Sequence, residues 1–267
     1  MRKSNLFWGF VLVLGGIVLL LNTTGVLQFN VWNVLFPLFI VALGAWFLIG
    51  PALFRNAKLE EDTVKIPLEG ATSAEVELKH GAGHLVVGVL PMETGSLLEG
   101  TFTGGIEQHV DRAGGRAKVS IKAHLDRVFG VPTVGSHQGL EWKVNLSNSL
   151  PLDLDISTGA SENSLDLHNL LVTGLKIGTG ASRTEVQLPV AAGLTKVNVE
   201  AGMAEVILNV PEGVAARIRL NTGLSGNHIN TTRFPQADAG YESPDFDSAA
   251  NRVEIHVEGG VGSITIQ

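Results

Sequence analysis

Leu152-Asp-Leu-Asp-Ile-Ser-Thr-Gly159-Ala-Ser161 recurs down the chain with small changes. Leu175-Lys-Ile-Gly-Thr-Gly180-Ala-Ser182, Val197-Asn-Val-Glu-Ala-Gly202-Met-Ala204, Ile218-Arg-Leu-Asn-Thr-Gly223-Leu-Ser225 and Val253-Glu-Ile-His-Val-Glu-Gly-Gly260-Val-Gly262 follow it, and Val76-Glu-Leu-Lys-His-Gly81-Ala-Gly83 precedes it. From Gly159 onward the central glycines lie 21, 22, 21 and 37 residues apart, while Gly81 lies 78 residues upstream. Apolar and polar residues alternate within each copy, the mark of a strand with one buried face. A second alternating run follows the glycine, as in Val186-Gln-Leu188 and Val206-Ile-Leu208. A unit this short cannot bury its own apolar face, so copies must stack, and a fixed period of about 21 residues predicts a β-solenoid.

Leu154, Ile177, Val199, Leu220 and Ile255 are expected to line one interior, with the glycines supplying a backbone conformation that other residues resist. A β-sandwich is the competing architecture, but sandwich hairpins have no reason to hold a constant register. Residues 59–267 therefore read as an all-β, single-stacked solenoid with irregular insertions at 91–150 and 232–252. The first insertion holds a basic-leaning strand (Arg116 to Lys122) and a loop from Val131-Pro132 to Gly139; the second, rich in Pro, Asp and Ser, reads as an exposed loop. Long loops are often functional, so either is a candidate partner surface. Val261-Gly-Ser-Ile-Thr-Ile-Gln267 is expected to end the stack, leaving backbone groups open to another strand.

The charges set the other half of the chain apart. Residues 1–58 hold Arg2, Lys3, Arg55 and Lys58 and no acidic residue, and 51 consecutive residues between Lys3 and Arg55 carry no charge. Leu6 to Leu21 is an unbroken apolar run, and Val31 to Phe54 is a second one long enough to span a bilayer. Its Pro37 and Pro51 are tolerable in a membrane helix whose neighbours satisfy the freed backbone groups. Residues 1–58 thus read as a two-helix transmembrane hairpin, with helices at about 6–22 and 31–54, and Trp8, Trp32 and Trp46 near the interfaces. Basic residues flank the hairpin and are missing from its loop, so the positive-inside rule predicts a multi-pass membrane protein whose soluble domain is cytoplasmic. A cleaved signal peptide fits less well, because no small-x-small site follows Leu21.

The remaining 209 residues hold 15 basic and 26 acidic side chains, a balance that argues against nucleic acid as a partner. Without cysteine there is neither a disulfide framework nor a thiol nucleophile. Gly81-Ala-Gly83 and Gly178-Thr-Gly180 lack the third glycine and following helix of a nucleotide loop, and Gly223-Leu-Ser225-Gly226 has the wrong spacing for a nucleophile elbow. His80 and His84 flank a strand turn and do not share a helix face, and His124, His137, His168, His228 and His256 share no repeat position, so surface roles suit the histidines better than a metal. Asp153 and Asp155, with Glu162 and Asp166 behind them, are the carboxylates a polysaccharide-acting β-helix enzyme would use, with or without calcium. The outward positions of any solvated strand are charged too, and no repeated Arg or Lys completes such a site. Only six aromatics, Trp142 among them, lie beyond Arg55, which is thin for a sugar platform. Trp142 reads as a core plug or cap.

Two stretches carry a family resemblance. Phe7-Trp8-Gly9, Leu19-Leu-Leu-Asn22 and Phe36-Pro37-Leu-Phe-Ile-Val-Ala-Leu-Gly44 resemble the LiaI/LiaF-type transmembrane region, with Phe36 in place of the usual Trp. Glu141-Trp142-Lys-Val-Asn-Leu146, Leu150-Pro-Leu-Asp-Leu-Asp-Ile-Ser-Thr-Gly159-Ala160 and Leu165-Asp-Leu-His-Asn-Leu170 resemble the attached toastrack or adhesin-like domain. The resemblance implies a membrane-anchored, non-catalytic accessory protein of bacterial cell-envelope stress signalling, a family in which LiaF-like members restrain a membrane sensor kinase. It carries over no catalytic, cofactor-binding or metal residue, and it leaves partner-binding residues unknown. The expected partners are the lipid bilayer, a sensor kinase or other membrane protein, and a second copy. An outward-facing adhesin is the alternative.

Overall fold

A computed structural model describes residues 36–37, 39–41, 61–91, 95–123 and 140–267. The expected helices 6–22 and 31–54, apart from five residues, and the whole Val131 to Gly139 loop lie outside these; so do His124 and His137. The chain divides into two units, residues 1–57 with 131–135, and residues 58–130 with 136–267. Of the first unit, Phe36, Pro37, Phe39, Ile40 and Val41 are described, all helical and all exposed. Among the described residues no helix is long and apolar enough to cross a membrane.

The second unit is β throughout. Its strands are β1 (Glu61–Pro67), β2 (Ser73–Val89), β3 (Ser96–Thr103), β4 (Ile106–Ala113), β5 (Arg116–Ala123), β6 (Glu141–Leu146), β7 (Leu152–Asp166), β8 (Val172–Gln187), β9 (Leu194–Asn209), β10 (Ala215–Ile229), β11 (Gln236–Ala237), β12 (Gly240–Glu242) and β13 (Arg252–Ile266). They form one sheet in the order β1-β3-β6-β2-β7-β8-β9-β13-β10-β12-β11, with β5 on β2 and β4 on β5.

Six long strands, β2, β7, β8, β9, β13 and β10, pair in parallel. Facing residues are 21 apart from β7 to β8 (Leu154 opposite Leu175) and 22 apart from β8 to β9 (Leu175 opposite Val197). Two aliphatic ladders run through the stack, Val76-Leu154-Leu175-Val197-Ile255-Ile218 and Leu78-Ile156-Ile177-Val199-Val257-Leu220. The register corrects the expected interior line: Leu154 belongs to the first ladder with Ile255, and Ile177, Val199 and Leu220 to the second. All but Leu220 are buried.

None of these strands is flat. In β7 the buried positions are Leu152, Leu154, Ile156 and Thr158, then Asn163 and Leu165. The inward set switches from even to odd across Gly159 to Ser161, which a flat pleat forbids, so the chain turns a corner there. Each strand is thus two arms meeting at a glycine. The glycines are needed for a reason other than the expected one: none of Gly159, Gly180, Gly202, Gly223 and Gly260 has positive φ. Instead, a Cβ at Gly159 would lie 2.3 Å from the Gly81 carbonyl oxygen, at Gly180 2.9 Å from that of Gly159, at Gly202 3.0 Å from that of Gly180, at Gly260 2.7 Å from that of Gly202 and at Gly223 3.0 Å from that of Gly260. The corners stack backbone on backbone, and only hydrogen fits between.

Inside the corner the ladder turns polar. Asn163 donates to Thr158 (3.2 Å) and to Thr184 (2.8 Å), and Thr158 donates to Thr179 (3.1 Å), tying β7 to β8 through buried groups.

The glycine contacts also give the true order of the stack. β13 lies between β9 and β10, paired along its length with both. Val261 to Gln267 therefore does not end the stack, contrary to expectation. The inward residues explain the choice: Val253, Ile255, Val257, Ile264 and Ile266 fill both arms of β13 and are at most 2 % exposed, whereas the second arm of β10 offers Asn227 and Ile229. The more apolar strand takes the central slot.

Both insertions are more structured than expected. Residues 91–150 contain β3 to β6, which cover the β2 end: β5 pairs with the first arm of β2 and β6 with the second. Residues 232–252 are a cap and not simply an exposed loop. Phe234 and Phe246 are buried, β12 pairs with β10 at Arg217 and Ile218, and Arg217 holds Glu242 (2.6 Å), Asp247 (3.2 Å) and Glu254 (3.7 Å) while its guanidinium lies 4.1 Å from the Phe246 ring centre.

Candidate interaction surface

The outward faces of the arms carry most of the ionised side chains, and most are tied to neighbours. Asp153 accepts from Arg116 (2.9 Å) and from Thr173 (3.0 Å). Glu75 meets Lys118 (2.7 Å) and Arg116 (3.1 Å), and the Lys118 hydrogen bond holds its carboxyl below the usual range. Glu162 lies 3.4 Å from His84, and Asp166 accepts from the His168 amide (3.2 Å). The carboxylates singled out as an enzyme's acid and base are thus divided between the two arms of β7, with Asp153 in a cross-strand ion pair and Glu162 beside the His84 ring. Among the described residues no three His, Asp or Glu side chains gather to hold a metal.

One histidine departs from the expected surface role. His80 is 2 % exposed, with its ring centre 4.7 Å from that of Trp142. Trp142 is itself buried against Phe102 (5.1 Å, edge-on), so it is a core residue at the β2 end. Neither His80 nitrogen has a hydrogen-bond partner among the described residues. Burial, helped by the nearby His84, lowers its pKa to about 4. It is held neutral. Its alternation with Val76 and Leu78 was the available signal that it points inward.

The β10 end presents a different surface. A groove of about 570 Å³ runs over the corner between Glu200, Gly202, Glu258, Gly260, Asn221 and Gly223, and one of about 210 Å³ lies between Lys196, Arg219 and His256 on the first arm. The corner position just after the glycine is Ala82, Ala160 and Ala181 in the early strands, then Met203, Val261 and Leu224. These last three are 67 %, 49 % and 84 % exposed. Sequence reading put the open edge on β13; it belongs to the second arm of β10.

Residues 55–227 match the family model described as the N-terminal domain of toast_rack, DUF2154. The chain belongs to the toast_rack family. Residues 6–48 match the LiaI-LiaF-like transmembrane region, which marks a membrane anchor ahead of the toast_rack domain. The toast_rack match stops within β10, whereas the sheet continues through β13. A solved structure of a candidate cell adhesion protein from Clostridium sporogenes ATCC 15579 superposes with a TM-score of 0.67 at 22% identity, covering 78% of this chain and 99% of that one. A candidate adhesin from Bacteroides fragilis NCTC 9343 gives a TM-score of 0.28 at 8% identity over 79% and 98% of the two chains. The first shares the toast_rack fold. No curated protein matches the chain.

Proposed function

We propose that this is a membrane-anchored, non-catalytic scaffold or regulator, LiaF-like, that modulates a cell-envelope stress sensor through protein contacts. One observation carries the reading: a LiaI-LiaF-like transmembrane region and a toast_rack domain are joined in one chain. In this reading a two-helix hairpin over residues 1–58 holds the soluble domain, a single-stacked solenoid of about 21-residue repeats, against the lipid bilayer. Arg2, Lys3, Arg55 and Lys58 favour a cytoplasmic domain. The partner is a membrane sensor kinase or another membrane protein. Asp153, first of the carboxylates that would serve an enzyme, is engaged by Arg116 and Thr173, which supports a binding role.

A second reading is an outward-facing adhesin, favoured by the fold shared with the C. sporogenes protein. Membrane fractionation and protease treatment of intact cells test both. The scaffold reading expects the chain in the membrane fraction with residues 59–267 protected until the cells are opened; digestion from outside favours the adhesin. Recovery in the soluble fraction removes both.

A further inference from the structure

Among the described residues four buried side-chain atoms have no hydrogen-bond partner: both ring nitrogens of His80, the Ser161 hydroxyl and the Asn163 amide oxygen. Only the imidazole can take up a proton in mild acid. The other described histidines, His84, His109, His168, His228 and His256, are exposed, so a charge formed on them meets water. A charge on His80 meets none. The neutral ring already leaves its N–H donor unmet, and the charged ring would hold two unmet donors and an unsolvated charge.

His80 lies at a joint in the sheet. On one flank of β2, β7 pairs along both arms, from Ala74 opposite Leu152 to Val87 opposite Leu165. On the other flank two shorter strands divide the length: β5 covers Ser73 to Lys79 and β6 covers His84 to Val89, so His80 falls in the gap between them. β6 in turn carries an end sheet, since β3 pairs with β6 and β1 with β3, and neither pairs with the stack. Trp142, whose ring lies against His80, is the second residue of β6, and its other ring neighbour Phe102 belongs to β3. Parting β6 from β2 therefore takes both aromatic rings away together and uncovers His80, while β2 keeps its full pairing with β7.

We propose that the β2–β6 seam is an acid-released joint: protonation of His80 parts the end sheet β1-β3-β6 from the stack while β7, β8 and β9 stay closed. Among the described residues no charged group offset this. On β2 itself Lys79 and His84 are nearest; β5 sets Lys122 opposite Lys79, β6 sets Glu141 opposite His84 with Lys143 two residues on, and β7 brings Glu162 to 3.4 Å from His84. All of these side chains are exposed, on the outward positions of their strands, so none gives the buried ring a counter-charge. His84, when charged, repels a proton on His80. The sign follows from linkage. The closed seam holds the His80 pKa at about 4 and the open one lets it return toward 6.5, so acid favours the open form, and the opening constant is expected to rise roughly 50-fold from pH 7 to pH 4.5. The joint lies within the β domain and stands whichever side of the membrane that domain faces.

Amide hydrogen exchange of the full-length protein in lipid nanodiscs, read by mass spectrometry at pH 7 and pH 4.5 and corrected for the intrinsic effect of pH on exchange, tests the proposal. Protection is expected to fall roughly 50-fold in β6, β3 and β1 and in residues 85–89 of β2, and to be retained in β7, β8 and β9. His80→Phe keeps a ring against Trp142 and should abolish the acid response while leaving protection at pH 7 intact. His80→Gln, polar but unable to take a charge, should abolish it as well, even from a lower starting protection. His84→Gln should keep most of it. Equal loss of protection across all strands, an end sheet unchanged at pH 4.5, an acid response that persists in His80→Phe or His80→Gln, or one that disappears in His84→Gln overturns the proposal.

Discussion

A methyl group at position 159 would sit 2.3 Å from a carbonyl oxygen of the next rung, whereas one at Gly178, on the outward face nineteen residues later, would meet nothing closer than the Ser157 hydroxyl at 3.8 Å. Neither position has positive φ, so the comparison isolates close approach from backbone preference. Gly159→Ala is expected to lower stability by about 1–3 kcal/mol, and Gly178→Ala to leave it unchanged or raise it by up to about 1 kcal/mol; denaturant unfolding of the two variants measures the difference. At the same scale His80 ties stability to acidity. Its pKa falls from 6.5 to about 4 on folding, so between those values the unfolded chain binds more protons than the folded one. Stability is complete above about pH 6.5 and declines toward pH 4, by about 3 kcal/mol in all. His80→Phe should flatten that decline in unfolding midpoints taken across the range. The repeated glycines were legible in the sequence, but their purpose was not: one copy cannot show that its corner lies against a neighbour's carbonyl.

Between elements, the order of the stack was the hidden part. Spacing alone puts Gly223 next to Gly202, because the interval of 21 residues matches the others and that of 37 does not. Composition carried the opposite signal. An edge strand needs less apolar burial than a central one, and opposite Ile264 and Ile266 of β13 the second arm of β10 sets Asn227 and Ile229. Removal of residues 261–267 is therefore expected to damage the core. Losing the two buried isoleucines costs about 4 kcal/mol or more, a large share of the ~5–15 kcal/mol that stabilises a domain; loss of the cooperative thermal transition is the readout. The 232–252 cap depends on Arg217, which joins it through Glu242, Asp247 and the Phe246 ring. Arg217→Ala should leave the ladders intact and speed amide hydrogen exchange across residues 233–249 selectively.

Over the whole molecule, hydropathy and alternation separated an apolar, weakly basic leader region from an acidic β domain, since those patterns follow directly from the period of the backbone and the solvent each part meets. What they left unread is non-local: which strand sits beside which, where the caps fold over, and which edge is left bare. The β9-β13-β10 arrangement has one further consequence. On the ribosome, β10 emerges before β13 exists, and the vacant flank of β9 then offers it a berth at the familiar interval of 21 residues. The nascent domain would dock β10 there first and must release it when β13 arrives. Refolding of the intact protein should accordingly show a slow phase that disappears in a permuted chain where β13 precedes β10.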